Sequence, residues 1–144
     1  MDPVVEAGPY TPTAEDVASV EAWFREYDAC AARKDIERLA DMAVFPLNVV
    51  SDDAAGNAAA AQWSRERYVA TMRHVIGEGG DVRIESTRTP HFLSAALVVV
   101  FTEAVVTWEG GSARTRYADL LVRNDGRWRF QTMVQSGWGD ELRS

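Results

Sequence analysis

The 144-residue chain is 47% hydrophobic and 26% charged, enough apolar sequence to bury one globular core. Its net charge of -7 and pI near 4.8 argue against a nucleic-acid or anionic-membrane surface. The single cysteine, Cys30, excludes an internal disulfide, and neither a basic-then-apolar leader nor a membrane-length apolar run is present, so a cytoplasmic protein is expected.

In chain order, residues 1–12 carry three prolines and no periodicity, which predicts a flexible N-terminal arm. Thr13-Ala-Glu-Asp16 reads as a capping-box start for a helix. Val17, Val20, Phe24, Tyr27 and Ala31 follow at steps of three and four and form its apolar face, turning Tyr27 toward the core. Asp35 caps a short second helix that Phe45-Pro46 should stop. Residues 47–51 then read as a short strand, 52–57 as a turn, and 58–63 as either strand or helix. Ser64 caps a third helix ending at Gly77, Gly79 and Gly80. A further strand over 82–89 is expected to break at Pro90.

The most informative stretch is Ala95–Trp138. Runs at 95–108, 113–124 and 127–138 are separated by Gly110-Gly111 and Asp125-Gly126, which supply the positive φ of tight hairpins. With Asn124 facing Arg127, Tyr117 falls opposite Val134, Asp119 opposite Thr132, and Leu121 opposite Phe130. With Glu109 facing Ser112, Thr102 falls beside Asp119 and Val100 beside Leu121. Trp128, Phe130, Thr132 and Val134 then mark the core-facing side. This register puts Asp119 on the inner face of the sheet between two threonines, and a one-residue slip would turn it outward. The helix, helix, strand, helix, long-sheet order predicts an α+β fold with helices on one side of a curved antiparallel sheet. The other face carries Leu97, Val99, Phe101, Leu120 and Met133, and a homodimer packed sheet against sheet would cover it.

The element order and the pattern Y-A-D-L-L-V-R-N-D-G-R-W-R-F resemble the nuclear transport factor 2-like superfamily over roughly residues 14–138. That superfamily includes ketosteroid isomerases, SnoaL-like polyketide cyclases and scytalone dehydratase, and also many non-enzymes. The resemblance implies a cystatin-like, cone-shaped half-barrel wrapped around the N-terminal helices, with an apolar pocket at one end. It assigns the domain to residues 13–139, with 140–144 as a C-terminal tail. The spacing from Tyr27 to Asp35 resembles that of the isomerase oxyanion-hole tyrosine and the aspartate opening the second helix. Asp119 falls where their second oxyanion-hole residue lies, a carboxylic acid kept neutral by an apolar setting. Ser51 occupies the position of their general base, with Asp52 one residue later. Tyr27-Asp28 is similar to the adjacent pair of scytalone dehydratase, displaced by about one helical turn.

The candidate catalytic residues are therefore Asp119, Tyr27, Asp52 and His91, the last placed after Pro90 near the open end. Phe24, Trp63, Met72, Thr102, Tyr117, Phe130 and Thr132 are candidates to contact substrate. No His/Cys cluster has metal-ligand spacing and no glycine loop suits a phosphate, so neither metal nor cofactor is expected. Two readings follow. One is a cofactor-independent isomerase, cyclase or lyase that stabilises the enolate of an apolar, polyketide- or steroid-like carbonyl compound. The other is a non-catalytic ligand-binding or dimerisation module. Asp119 reads equally as a functional acid or as a structural one held by Thr102 and Thr132, and Tyr27 as a core tyrosine.

Overall fold

The computed structural model describes residues 9–77 and 80–142. Its helices are α1 (Ala14–Ala32), α2 (Ile36–Asp41), α3 (Arg65–Met72) and α4 (Gly139–Leu142). Its strands are β1 (Ala43–Asp52), β2 (Ala58–Trp63), β3 (Arg83–Ser94), β4 (Leu97–Trp108), β5 (Gly111–Asn124) and β6 (Arg127–Gln135). The strands form one sheet in the order β2-β1-β6-β5-β4-β3, antiparallel except for the β1–β6 pair. With β2 and β3 left as edges, the sheet is an open, curved half-barrel of α+β class. Among the described residues no helix is long and apolar enough to cross a membrane.

Capping sets the helix starts. The Asp16 amide donates to Thr13 Oγ1 at 3.0 Å and the Thr13 amide donates to the Asp16 carboxylate at 2.9 Å. This box satisfies two N–H groups that a helix end leaves unpaired. The Tyr10 hydroxyl also donates to Asp16 at 2.7 Å, which ties residues 9–12 to α1. The rest of the expected arm, residues 1–8, lies outside the described residues. Asp35 and Ser64 accept from backbone N–H groups to cap α2 and α3, and α3 continues as a π-helical turn over Arg73–Gly77. Val20, Phe24 and Cys30 of α1, Leu39 of α2, and Tyr68 and Met72 of α3 are buried against Val98, Val100, Leu121 and Phe130 of the sheet.

Several local expectations change. β1 begins at Ala43 and runs through a cis Phe45-Pro46 bond, instead of starting after it. Pro46 lies outside both ladders of β1, so its missing N–H leaves no gap in either. Residues 58–63 are strand β2. β3 likewise passes through Pro90, which is tolerated because β3 is an edge strand. Ala95-Ala96 turns the chain into β4, a hairpin the broken-strand reading missed. At the C-terminus, residues 139–142 are helix α4, and Leu142 joins the core instead of beginning a tail. A side chain at Gly139 would run into the Asp52–Asp53 backbone, so this junction requires glycine.

The meander register differs in two ways. Between β4 and β5, Trp108 pairs with Gly111, making Glu109-Gly110 the turn, with Gly110 at φ 101°. Every β4–β5 pair shifts by two residues, so Asp119 pairs with Val100 and Thr102 with Tyr117. An even shift keeps each side chain on its face. Between β5 and β6, Asn124 pairs with Arg127 and Leu121 with Phe130 as expected, but Leu120 then pairs with Thr132. Gln131 is the extra residue of a β-bulge. Beyond it Asp119 pairs with Met133 and Tyr117 with Gln135, in place of Thr132 and Val134. Thr132 consequently faces outward, where its hydroxyl meets Gln131 at 2.6 Å and Asn48 at 3.5 Å. Met133 turns inward and leaves the proposed dimer face.

Candidate functional site

The concave face of the sheet is built in rows. One row runs Arg88, Thr102, Tyr117 and Gln135 across β3, β4, β5 and β6; the next runs Pro90, Val100, Asp119, Met133 and Val49. Strands lie about 4.8 Å apart, and residues two apart along a strand are separated by about 7 Å. Asp119, Tyr117 and Arg88 therefore share one patch of wall. α1 supplies the facing wall, where Tyr27 packs its ring 5.2 Å from Phe130 and 6.2 Å from Phe24. Between the walls is a cavity of about 280 Å³.

Of the expected site residues, the structure brings Asp119, Tyr27, Phe24, Met72, Tyr117 and Phe130 to this cavity. Five others lie elsewhere. Asp52 at the end of β1 accepts from the Gly137 amide at 2.7 Å and from Ser136 Oγ at 2.8 Å, which hold its carboxyl below the usual carboxylate range. His91 is exposed on the convex face, with its ring 5.4 Å from that of Phe101. Trp63 is buried in the core outside the cavity lining, with the Arg67 guanidinium 5.7 Å above its ring. Thr102 is buried beneath Arg88 and Tyr117, and Thr132 faces outward. Ser51 accepts from the Trp138 amide at 2.8 Å. Among the described residues, no group of three or more His, Cys, Asp or Glu side chains is placed to hold a metal ion.

Asp119 is 3% exposed on the cavity wall, beside Phe24, Met72, Phe130 and Met133. The two threonines do not hold it: the Thr102 hydroxyl is buried without a partner, and Thr132 is on the other face. Loss of solvent penalises the ionised form, and this burial raises the Asp119 pKa to about 7 against the opposing pull of Arg88. Burial likewise pushes the Tyr27 phenol well above its ordinary value, with Tyr68, Asp119 and Tyr117 adding to the rise. At neutral pH the wall thus offers a phenol O–H and, in about half of the molecules, a carboxylic acid O–H.

Arg88 also lines the cavity. Its guanidinium lies 4.2 Å above the Phe24 ring and donates to both Asp28 oxygens, at 2.7 and 2.8 Å. Phe24 and Asp28 are one helical turn apart, so a single side chain from β3 grips one face of α1. Burial would lower the Arg88 pKa, but its bond to Asp28 raises it, so the cation is secure. The sequence offered a signal for it: Ile84, Ser86 and Arg88 alternate onto one face of the strand read at 82–89.

No protein-family model matches this sequence, and no curated protein does. Solved structures do. A provisionally assigned scytalone dehydratase from Novosphingobium aromaticivorans superposes with a TM-score of 0.66 at 20% identity, covering 83% of this chain and 82% of that one. Aln2 from a Streptomyces species gives a TM-score of 0.67 at 19% identity, covering 93% and 99%. An NTF2-like protein of unknown function from Pseudomonas putida gives 0.68 at 16%, covering 88% and 89%. The chain has the NTF2-like, cystatin-like fold. At these identities the likeness is one of fold. What the chamber accepts is set by its side chains.

Proposed function

We propose that this NTF2-like domain binds a small apolar carbonyl compound and acts as a cofactor-independent isomerase, cyclase or lyase. Tyr27 and protonated Asp119 would donate to the carbonyl oxygen and stabilise the enolate that forms as water takes up the proton from the adjacent carbon. The observation that carries this reading is the Asp119 carboxyl, buried on the wall of a mostly apolar cavity that Tyr27 also lines. A neutral acid there gains little from water and much from an oxygen that develops charge. Phe24, Met72 and Phe130 supply apolar contact for the rest of the ligand. The fold likeness to a provisionally assigned scytalone dehydratase is in keeping with a lyase. A cytoplasmic homodimer joined through Leu97, Val99, Phe101 and Leu120 completes the proposal.

A second reading, a binding module without turnover, is favoured by one observation. Ser51 and Asp52 are both engaged by the segment 136–138, and among the described residues no histidine lines the cavity, so no separate base faces it. The test is deuterium exchange into the carbon beside the carbonyl of benzylacetone, followed by proton NMR at neutral pH. The enzyme reading expects wild type to accelerate exchange, Asp119→Ala to abolish the acceleration, and Tyr27→Phe to cut it by about tenfold or more. Saturable binding without exchange would assign the pocket to the module reading. Absence of binding would overturn both.

A further inference from the structure

The polar wall has more donors than one carbonyl can use. Asp119 and Tyr27 both line the cavity, and so do Arg88 and Tyr117, which share the adjoining row of the sheet. Arg88 Nε is buried with no hydrogen-bond partner, although two of its nitrogens are committed to Asp28. A buried donor left unpaired is costly, and a ligand acceptor would relieve it. A cation at this wall further favours an acceptor that bears charge.

We propose that the pocket selects a ligand with two conjugated oxygens, an enolised β-dicarbonyl compound bound as its enolate. One oxygen would sit at Asp119 and Tyr27, and the other at Arg88 and Tyr117. This inference rests on the carbonyl reading above and adds a second subsite to it. The anion forms by loss of the acidic proton between the two carbonyls to solvent, so no further reactant is required. Asp28 moderates the site: its carboxylate offsets the Arg88 charge through a two-point bond, while its own side chain stays 53% exposed.

The signs of three substitutions follow. Arg88→Met keeps much of the packing on Phe24 and removes the charge. Tyr117→Phe removes one hydroxyl. Asp28→Asn leaves the Arg88 cation less compensated, at a surface position where folding is least exposed to risk. The experiment is an ultraviolet titration of benzoylacetone, whose enolate absorbs apart from its enol, with benzylacetone as a one-oxygen control measured by displacement. Wild type should lower the apparent pKa of bound benzoylacetone. Arg88→Met should weaken enolate binding by roughly tenfold or more, Tyr117→Phe by less, and Asp28→Asn should strengthen it. Benzylacetone affinity should fall by less than benzoylacetone affinity in Arg88→Met and Tyr117→Phe, and should change by under about threefold in Asp28→Asn.

Equal losses for both probes would reduce Arg88 to a packing residue and overturn the second subsite while leaving the carbonyl reading intact. Binding of benzoylacetone as the neutral enol, or no gain in Asp28→Asn, would overturn it in the same way. Failure of both probes to bind would remove the carbonyl reading and this inference with it.

Discussion

Asp119 carries an energetic cost that the rest of the fold must offset. An aspartate raised from 3.8 to about 7 in the folded chain binds its proton more tightly there than when unfolded. Folding is therefore unpenalised below about pH 4, loses stability as pH climbs through the interval to about 7, and is uniformly penalised above it. The full penalty is on the order of 4 kcal/mol. Asparagine at this position cannot ionise. The stability of Asp119→Asn relative to wild type should therefore grow between about pH 4 and pH 7 and level off beyond, as measured by urea denaturation at each pH. A pH-independent difference would mean that the carboxyl is as well solvated in the native state as in the unfolded one. Arg88 illustrates the limit of reading residues singly. Its partner Asp28 lies 60 positions away, and only the folded sheet brings β3 against α1.

At the scale of elements, the sequence spoke clearly where a residue type answers a local backbone need. Thr13 and Asp16 cap α1 as their spacing required, and Asp125-Gly126 forms the β5–β6 turn with φ of 52° and 76°. It was less clear where two local solutions are nearly equal. Glu109-Gly110 and Gly110-Gly111 can each make a two-residue turn, and the chain uses the first. The choice costs nothing in facing, because a shift of two preserves the alternation that buries Asp119. The bulge at Gln131 is a different matter. Gln131-Thr132-Met133-Val134 runs polar, polar, apolar, apolar, so either register buries one of the two apolar residues and exposes the other. Packing beside Asp119 decided for Met133, information that the strand alone does not contain. Prolines misled in the opposite direction. Pro46 and Pro90 lie inside strands because the ladders are incomplete at one and at an edge for the other.

For the whole molecule, the sheet has two faces and the helices pack against one. Across the convex face run Phe101, 53% exposed, and Leu97, 40% exposed, with Val99 and Leu120 half-buried between them. Met133, turned inward by the bulge, takes no part. Four apolar side chains on adjacent strands make a contiguous patch that a second copy would cover symmetrically. A Phe101→Asp substitution should convert a dimer to a monomer in sedimentation velocity, with an unchanged circular dichroism spectrum because the side chain supports no core contact. A wild type that sediments as a monomer at tens of micromolar would contradict the dimer. The cavity is lined by residues of a single chain, so monomeric variants should retain ligand binding.

The proposed chemistry turns on a neutral carboxylic acid standing in an apolar chamber, and the Asp119 pKa tests it most directly. The carboxyl carbon can be followed by carbon-detected NMR from pH 3 to 9, its signal assigned by its loss in Asp119→Asn. The expected midpoint is near 7. A midpoint at or below the ordinary carboxylate value of about 4 would contradict it, leaving an ionised, solvated group that cannot donate to a ligand oxygen.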